Sequence, residues 1–210
     1  MTSVLLLLNG ELPRPARVRA LAREASLVVC ADGGLRHAVR LRVRAQVVIG
    51  DMDSLPSPLP RWKETTYLCD FDEETSDFEK ALRFVARLGA DAVWVAGALG
   101  GRLDHLLANL AVAERCAGRI PIALVDDGAG SAQLVGPGAY AFDARRGRTV
   151  SMVPAGRGCL VTTRGLRREL RREAPRPGGR GLAERAAGSR VDIRVHRGRL
   201  WIVRSGPGPK

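Results

Sequence analysis

Residues 92–116 read A-V-W-V-A-G-A-L-G-G-R-L-D-H-L-L-A-N-L-A-V-A-E-R-C. The first five form a continuous apolar run with alternating valines, the pattern of a short strand covered on both faces. From Leu103 the period lengthens. Leu103, Leu106, Leu107 and Leu110 fall on one face of a helix reaching about Cys116, with Gly118 beyond its end. Between strand and helix sits a glycine-rich turn. Strand, turn and helix make half of a βαβ unit.

The same half-unit recurs along the first part of the chain. Apolar runs at Val4–Leu8, Leu27–Ala31, Gln46–Ile49, Thr65–Cys69 and Ile120–Val125 read as further strands. The clearest intervening helix is Asp77–Leu88, where Ser76 and Glu79 form an S-x-x-E capping box. Phe78, Ala81, Leu82 and Val85 follow at helical spacing, and Gly89 fits the position after the last turn. Such alternation predicts an α/β fold with a doubly wound, mostly parallel sheet of Rossmann-like type.

After Asp127 the period becomes two. Val191, Ile193 and Val195 alternate with Asp192, Arg194 and His196, Arg197-Gly198 reads as a tight turn, and Leu200–Val203 as the returning strand. Thr149–Val153 and Cys159–Thr163 form a similar pair across glycine-containing turns. The expectation is a small all-β sandwich over 128–210 behind an α/β domain over 1–127. Arg171–Gly188, rich in Arg, Gly, Pro and Ala, reads as a mobile loop.

Charge divides at the same place. The net +12 arises from 16 basic and 17 acidic residues up to Asp127, against 18 basic and 5 acidic beyond it. Of the 34 basic residues 31 are arginine, which resembles a coding bias more than a design for one ligand. Arg164–Arg185 holds eight arginines and no aromatic side chain for base stacking, so a solvated segment is the better reading and nucleic acid is disfavoured as a partner. No apolar run is long enough to span a bilayer, and no signal-peptide pattern opens the chain. Cys30, Cys69, Cys116 and Cys159 lie too far apart for a C-x-x-C zinc pair and read as reduced thiols. These features predict a soluble cytoplasmic protein.

The acids carry the chemistry. Asp32 follows one strand in A-D-G-G, Asp51 and Asp53 follow another in G-D-M-D-S, Asp77 opens a helix, and Asp104 lies in G-G-R-L-D-H. Each lies beyond the carboxyl end of a predicted parallel strand, where open α/β sheets bind ligands. Two carboxylates ~6 Å apart at an effective dielectric of ~20 repel by roughly 3 kcal/mol, so a convergent set raises its pKa values or recruits a cation. Oxygen-only ligands suit Mg²⁺ bridging phosphates. Gly33-Gly34 and Gly100-Gly101 allow backbone N–H groups to approach an anion at helix starts. Arg102 and Lys80 can neutralise transferred phosphate charge. Neither a P-loop nor a G-x-G-x-x-G string is present.

With these strings in place, the chain resembles the thiamin pyrophosphokinase family. The resemblance is carried in order by L-N-G (Leu8–Gly10), A-D-G-G (Ala31–Gly34), G-D-M-D-S (Gly50–Ser54), E-T-S-D-F-E-K-A-L (Glu74–Leu82) and G-A-L-G-G-R-L-D-H-L-L-A-N-L (Gly97–Leu110). It implies transfer of pyrophosphate from ATP to the thiamin hydroxyl with release of AMP, an α/β domain followed by a β-sandwich, and a homodimer with shared sites. By resemblance, Asp51, Asp53, Asp77 and Asp104 hold Mg²⁺ and orient the triphosphate. Asn9, Gly10, Asp32, Gly33, Gly34, Lys80, Gly100, Gly101 and His105 line the ATP and phosphate side, with Arg102 beside the phosphates. Either Asp77 or Asp104 accepts the hydroxyl proton.

The chain departs from the family pattern in two places. The usual D-x-T-D is E-T-S-D, Glu74–Asp77. More consequentially, the acceptor-side pattern T-x-G-L-x-W-x-L followed by S-N-E reads T-R-G-L-R-R-E-L, Thr163–Leu170, then G-L-A-E, Gly181–Glu184. Arg168 replaces the Trp, and Leu182-Ala183 replace the Ser-Asn. Trp201 offers an aromatic face that can compensate, or is a core residue of the sandwich. Two other readings therefore stand beside thiamin: a same-fold pyrophosphokinase for another hydroxymethyl heterocycle such as a pterin, and a non-catalytic nucleotide- or nucleic-acid-binding protein.

Overall fold

The computed structural model describes residues 2–12, 15–116, 120–125, 130–176 and 178–205. The chain separates into two compact units, Met1–Gly128 and Ala129–Lys210. The expected boundary at Asp126–Gly128 and the helix-end Gly118 lie outside the described residues.

The first unit is a parallel sheet with helices between its strands. It runs β1 (Ser3–Leu7), α1 (Ala16–Glu24), β2 (Leu27–Ala31), a 3-10 turn (Asp32–Gly34), α2 (Leu35–Leu41), β3 (Val47–Gly50), β4 (Thr66–Cys69), α3 (Asp77–Arg87), β5 (Ala92–Ala96), α4 (Leu103–Cys116) and β6 (Ile122–Val125). The strand order is β6-β5-β1-β2-β3-β4, parallel throughout. The apolar runs behave as their composition requires, with β1, β2 and β3 buried along nearly their whole length. Leu5, Leu7, Leu35, Leu41 and Val48 centre one core cluster. β4 is the exception, an edge strand whose side chains are largely exposed.

α3 begins as its sequence dictates, with Ser76 Oγ accepting from Glu79 N at 3.3 Å. The reciprocal half of the box is absent. Glu79 is buried and its carboxylate is taken by Arg83, at 2.8 Å, and by Arg115 of α4. α4 departs from the leucine-stripe reading. Leu103 is 69% and Leu107 60% exposed, and the residues α4 buries are Val112 and Ala113.

The second unit is antiparallel: β7 (Ser131–Val135), β8 (Gly138–Asp143), β9 (Thr149–Arg164), β10 (Arg171–Glu173), β11 (Glu184–Arg185) and β12 (Arg190–Arg204). The two turns expected here are bends inside long strands. β12 runs on through Arg197-Gly198 because both halves pair with β9, Asp192 opposite Arg164 and Arg204 opposite Val150, the register shifting between Val195 and Arg199. Glycines 156 and 158 occupy the matching stretch of β9, so Thr149–Val153 and Cys159–Thr163 belong to one strand. Such bulges redirect a strand without ending it. β7 and β8 pair with the two halves of β12, so the strands join through β9 and β12 around one core of Val150, Val161, Leu170, Ile193 and Leu200. The stretch expected to be a mobile loop contains β10 and β11, both paired with β9.

Candidate functional site

From β1 the chain adds β2, β3 and β4 on one side, then crosses to place β5 and β6 on the other. The loops leaving β1 and β5 therefore diverge, which opens a crevice at their carboxyl ends. The two strands stay joined past their last paired residues: Leu8 N donates to Ala96 O at 2.8 Å, and Gly10 N to Gly97 O at 3.1 Å. Gly97 has φ +79, and a Cβ there would fall 2.3 Å from Leu8 O, so this junction requires glycine. Beside it lies a cavity of about 500 Å³, lined from the ends of β1, β2, β3 and β5 and the first turns of α3 and α4.

Three aspartates meet in that cavity. Asp32, Asp51 and Asp53 each offer a carboxylate oxygen, and the three oxygens lie within 4.8 Å of one another. Asp32 sits deepest, 4% exposed, with φ +38 in the tight turn after β2. Its Oδ2 accepts from Ser54 N at 3.1 Å, while its Oδ1 is buried with no hydrogen-bond partner. Burial raises its pKa, and the charge of Asp53 adds to the rise. The G-D-M-D-S loop is set by short-range bonds: Asp53 N donates to Asp51 Oδ1 at 3.2 Å, and Ser54 Oγ to Asp53 Oδ1 at 2.9 Å. Met52 takes a left-handed φ of +71 between the two acids. A buried orphan oxygen on a carboxylate grouped with two others is costly unless a cation joins the set. The all-oxygen donor set fits a hard ion such as Mg²⁺. Asp32 thus groups with Asp51 and Asp53, whereas the resemblance implied the phosphate side for it.

Asp77 lines the same cavity from the start of α3 but lies outside that three-oxygen group. Gly50 separates it from Asp32: a Cβ at Gly50 would fall 2.8 Å from Asp32 Cβ and 3.0 Å from Asp77 Oδ1. Burial raises its pKa, assisted by Asp51 and Asp32 and opposed by Lys80. Lys80 does not line the cavity. Its side chain is 4% exposed, and Nζ donates to Asp70 O at 2.7 Å and to Asp77 Oδ1 at 3.3 Å.

Asp104 is set apart from the other four acids. Arg102 grips it with two bonds, Nε to Oδ1 at 3.1 Å and Nη2 to Oδ2 at 2.6 Å, and both side chains are exposed. That guanidinium, with the His105 N–H, holds Asp104 down to about 2. Asp104 was expected beside the metal; here it lies outside the three-oxygen group, with its charge matched by Arg102. Arg102, His105, Gly100 and Gly101 do line the cavity, as do Asn9, Gly10 and Gly33. Gly34 does not. A Cβ there would meet Leu7 O at 2.0 Å, so it packs the turn against β1.

Sequence reasoning missed Ser54, although it stands in the quoted G-D-M-D-S, because its two bonds to acids depend on the loop's turn. It also missed Asn109, one helical turn beyond His105, which lines the cavity and donates from Nδ2 to Ala98 O at 3.1 Å. On the acceptor side, Trp201 is 5% exposed, paired in β12 opposite Leu134 and Val153, so it presents no open ring face. Arg168 donates from Nε to the buried Glu184 at 3.0 Å. Leu182 is 41% exposed, and Ala183 has φ +53 with its N–H on Ser151 Oγ at 2.9 Å.

Comparison with known proteins agrees with this fold. The family model described as "Thiamin pyrophosphokinase, catalytic domain" matches residues 18–124. Thiamine pyrophosphokinase 1 of Oryza sativa subsp. japonica is 32% identical over 147 residues, 58% of this chain and 55% of that protein. Thiamine pyrophosphokinase 1 of Arabidopsis thaliana is 30% identical over 148 residues, 59% of this chain and 55% of that protein. The match thus spans about half the length of these curated relatives. The fold is that of thiamine pyrophosphokinase from Bacillus subtilis, with a TM-score of 0.85 at 20% identity over 98% of this chain and 100% of that one. The Geobacillus thermodenitrificans thiamin pyrophosphokinase gives 0.81 at 22%, covering 99% of each chain. With the family model matching just over half of its residues, the chain belongs to the thiamin pyrophosphokinase family.

Proposed function

We propose that this chain transfers pyrophosphate from ATP to the hydroxyl of thiamin in a Mg²⁺-dependent reaction, giving thiamin diphosphate and AMP. The observation that carries the proposal is the Asp32–Asp51–Asp53 cluster, with its orphaned buried oxygen, at the crevice of a family member. Those three aspartates would hold Mg²⁺, whose chemistry there is to offset triphosphate charge. Arg102 and the turn Gly97–Gly101 face the phosphates from the β5 side. The thiamin oxygen bonds to the β-phosphorus, the bond from that phosphorus to the α-phosphate oxygen breaks, and AMP leaves with the electron pair. The hydroxyl proton passes to Asp77, whose raised pKa makes it a better base than Asp104, held near 2 beside Arg102. Most of the rate comes from positioning and charge neutralisation.

The test is AMP release from ATP and Mg²⁺ with and without thiamin, with the product identified by mass. Thiamin-dependent AMP together with thiamin diphosphate is expected, and AMP formation that ignores thiamin would overturn the acceptor. A second reading has an observation of its own. Arg168 occupies the Trp position of the family pattern and is tied to Glu184, so the aromatic face of that pattern is missing there, which favours a different hydroxymethyl heterocycle, such as a pterin. The same assay run with that acceptor separates the two. The homodimer and cytoplasmic location implied by the family remain part of the proposal. Leu103 and Leu107, exposed on α4 beside Arg102 and His105, supply an apolar face that a second copy would cover. Among the described residues, no helix is long and apolar enough to cross a membrane.

A further inference from the structure

We infer that Lys80 is a positioning residue for Asp77 rather than a phosphate ligand, and that it works by tying Asp77 to the loop that follows β4. The inference rests on the functional reading above for what Asp77 does, and on the structure for how Asp77 is held.

Lysine is among the residues least often fully buried, and it is buried only when paired. Lys80 has a side-chain exposure of 4%, and its Nζ bonds to Asp70 O and Asp77 Oδ1 point into the protein. One goes to the carbonyl of Asp70, the first residue after β4. The other goes to Asp77 Oδ1, one helical turn back on α3. Its own N–H donates to Ser76 O at 3.0 Å, which fixes the backbone from which the side chain reaches. A single ammonium therefore joins the sheet end, the helix start and the acid.

The segment between Asp70 and Asp77 depends on that tie. It is acidic and exposed, and its other bonds are mainly local. Asp72 N donates to Asp70 Oδ1 at 3.1 Å, Glu74 N to Asp72 Oδ1 at 3.0 Å, and Thr75 Oγ1 to Asp72 Oδ2 at 2.7 Å. Such turns shape the loop without anchoring it to the fold. The anchors at its start are Asp70 N to Gly50 O, at 2.9 Å, and Asp70 O to Lys80. Asp77 meanwhile sits across Gly50 from Asp32, where like charges push it away. Lys80 opposes that push by bonding Oδ1, which leaves Oδ2 as the oxygen available for the acceptor's proton. Three donors on a flexible stem allow one ammonium to serve both acceptors, which a guanidinium fork does less readily.

The experiment compares wild type with Lys80→Met and Lys80→Arg in three measurements: steady-state kinetics, Mn²⁺ affinity in the absence of nucleotide, and hydrogen exchange across residues 70–76. For Lys80→Met, kcat falls on the order of 10–100-fold, the range for losing a residue that orients a site's ligands. KM for ATP and the Mn²⁺ dissociation constant stay within about 2-fold, because Asp32, Asp51 and Asp53 are untouched. Amides 70–76 exchange faster. Lys80→Arg recovers part of kcat and of the protection. An unchanged kcat in Lys80→Met overturns the inference, as does loss of Mn²⁺ affinity in step with kcat, which would make Lys80 a general support. A phosphate ligand would instead raise KM for ATP with protection intact. Should Lys80→Met fail to fold, Lys80→Gln, which keeps an N–H donor for Asp70 O but lacks the charge that holds Asp77, is read on kcat against KM and Mn²⁺ affinity in the same way. If wild type itself forms no AMP, the functional reading fails, while the exchange measurement still decides whether Lys80 anchors the loop.

Discussion

At the ends of β2 and β3, Asp32, Asp51 and Asp53 bring carboxylate oxygens within 4.8 Å, and burial lifts the pKa of Asp32. At the end of β5, Asp104 stands in solvent with both oxygens on Arg102 and is held near 2. All four residues follow strands of one parallel sheet, so strand-end position alone does not define a role. What separates them is solvation and the presence of a partner. The first region gathers three carboxylates, of which Asp32 is buried where an unmatched charge is costly, and the second has already neutralised its own.

The largest expected effect falls on the first region. Asp53→Asn removes one charge from the cluster, and metal stabilisation of transferring phosphate contributes several kcal/mol, so kcat/KM drops on the order of 100-fold or more and the Mg²⁺ requirement rises. A mutant with full activity and normal Mg²⁺ dependence would end the assignment of this cluster to a cation.

Next comes stability, where the first region runs against its function. In metal-free protein the folded state keeps a proton on Asp32 over a window in which the unfolded chain, with its ordinary value of 3.8, has released it. Because the folded state then binds more protons, stability falls as pH rises from about 4 through the raised value. Asp32→Asn removes that loss, so metal-free protein at pH 7 gains stability while Mg²⁺ affinity falls. Thermal melts with and without Mg²⁺ across this pH range measure both. A mutant less stable than wild type without metal would mean that Asp32 is not a destabilising buried charge. Asp104 behaves oppositely: its lowered pKa contributes stability above its ordinary 3.8 that is lost as pH falls toward 2.

For the second region, Asp104→Asn is expected to lower kcat/KM by roughly 10-fold or less, since an exposed, already matched pair contributes little and the change frees Arg102. A loss as large as that of Asp53→Asn, measured in the same assay, would erase the contrast and return Asp104 to the metal set.

The readable and unreadable parts of the sequence divide along physical lines. Buried parallel strands must be apolar throughout, and capped helices need their end residues, so β1–β3, β5 and α3 were visible as composition. The station of each acid beyond a strand followed from that. What one sequence does not encode locally is strand order, and the order placed β1 against β5 and opened the crevice. The pairing of Arg102 with Asp104 and the inward turn of Lys80 depend on side-chain reach and packing, which residue type and spacing do not encode. In the second unit, a glycine that ends a strand and one that bends it look alike. Only the pairing of both halves of β12 with β9 separates them.

The smallest effect tests the second unit, where the chain departs most from its family. Ala183 holds φ +53 with its N–H on Ser151 Oγ. Alanine pays for this left-handed backbone with the clash of its Cβ, whereas asparagine, the family's residue at this place, tolerates it. Ala183→Asn should therefore raise stability by about 0.5–1 kcal/mol, read as a rise in the midpoint of chemical unfolding at unchanged m. If Ala183 was accepted only because the acceptor side has lost its selection for thiamin, the same change leaves kcat with thiamin unaltered. If instead the loop still touches the acceptor, the asparagine lowers KM for thiamin as well. A loss of stability would show that the Ser151 bond, and not the residue's own preference, fixes this turn.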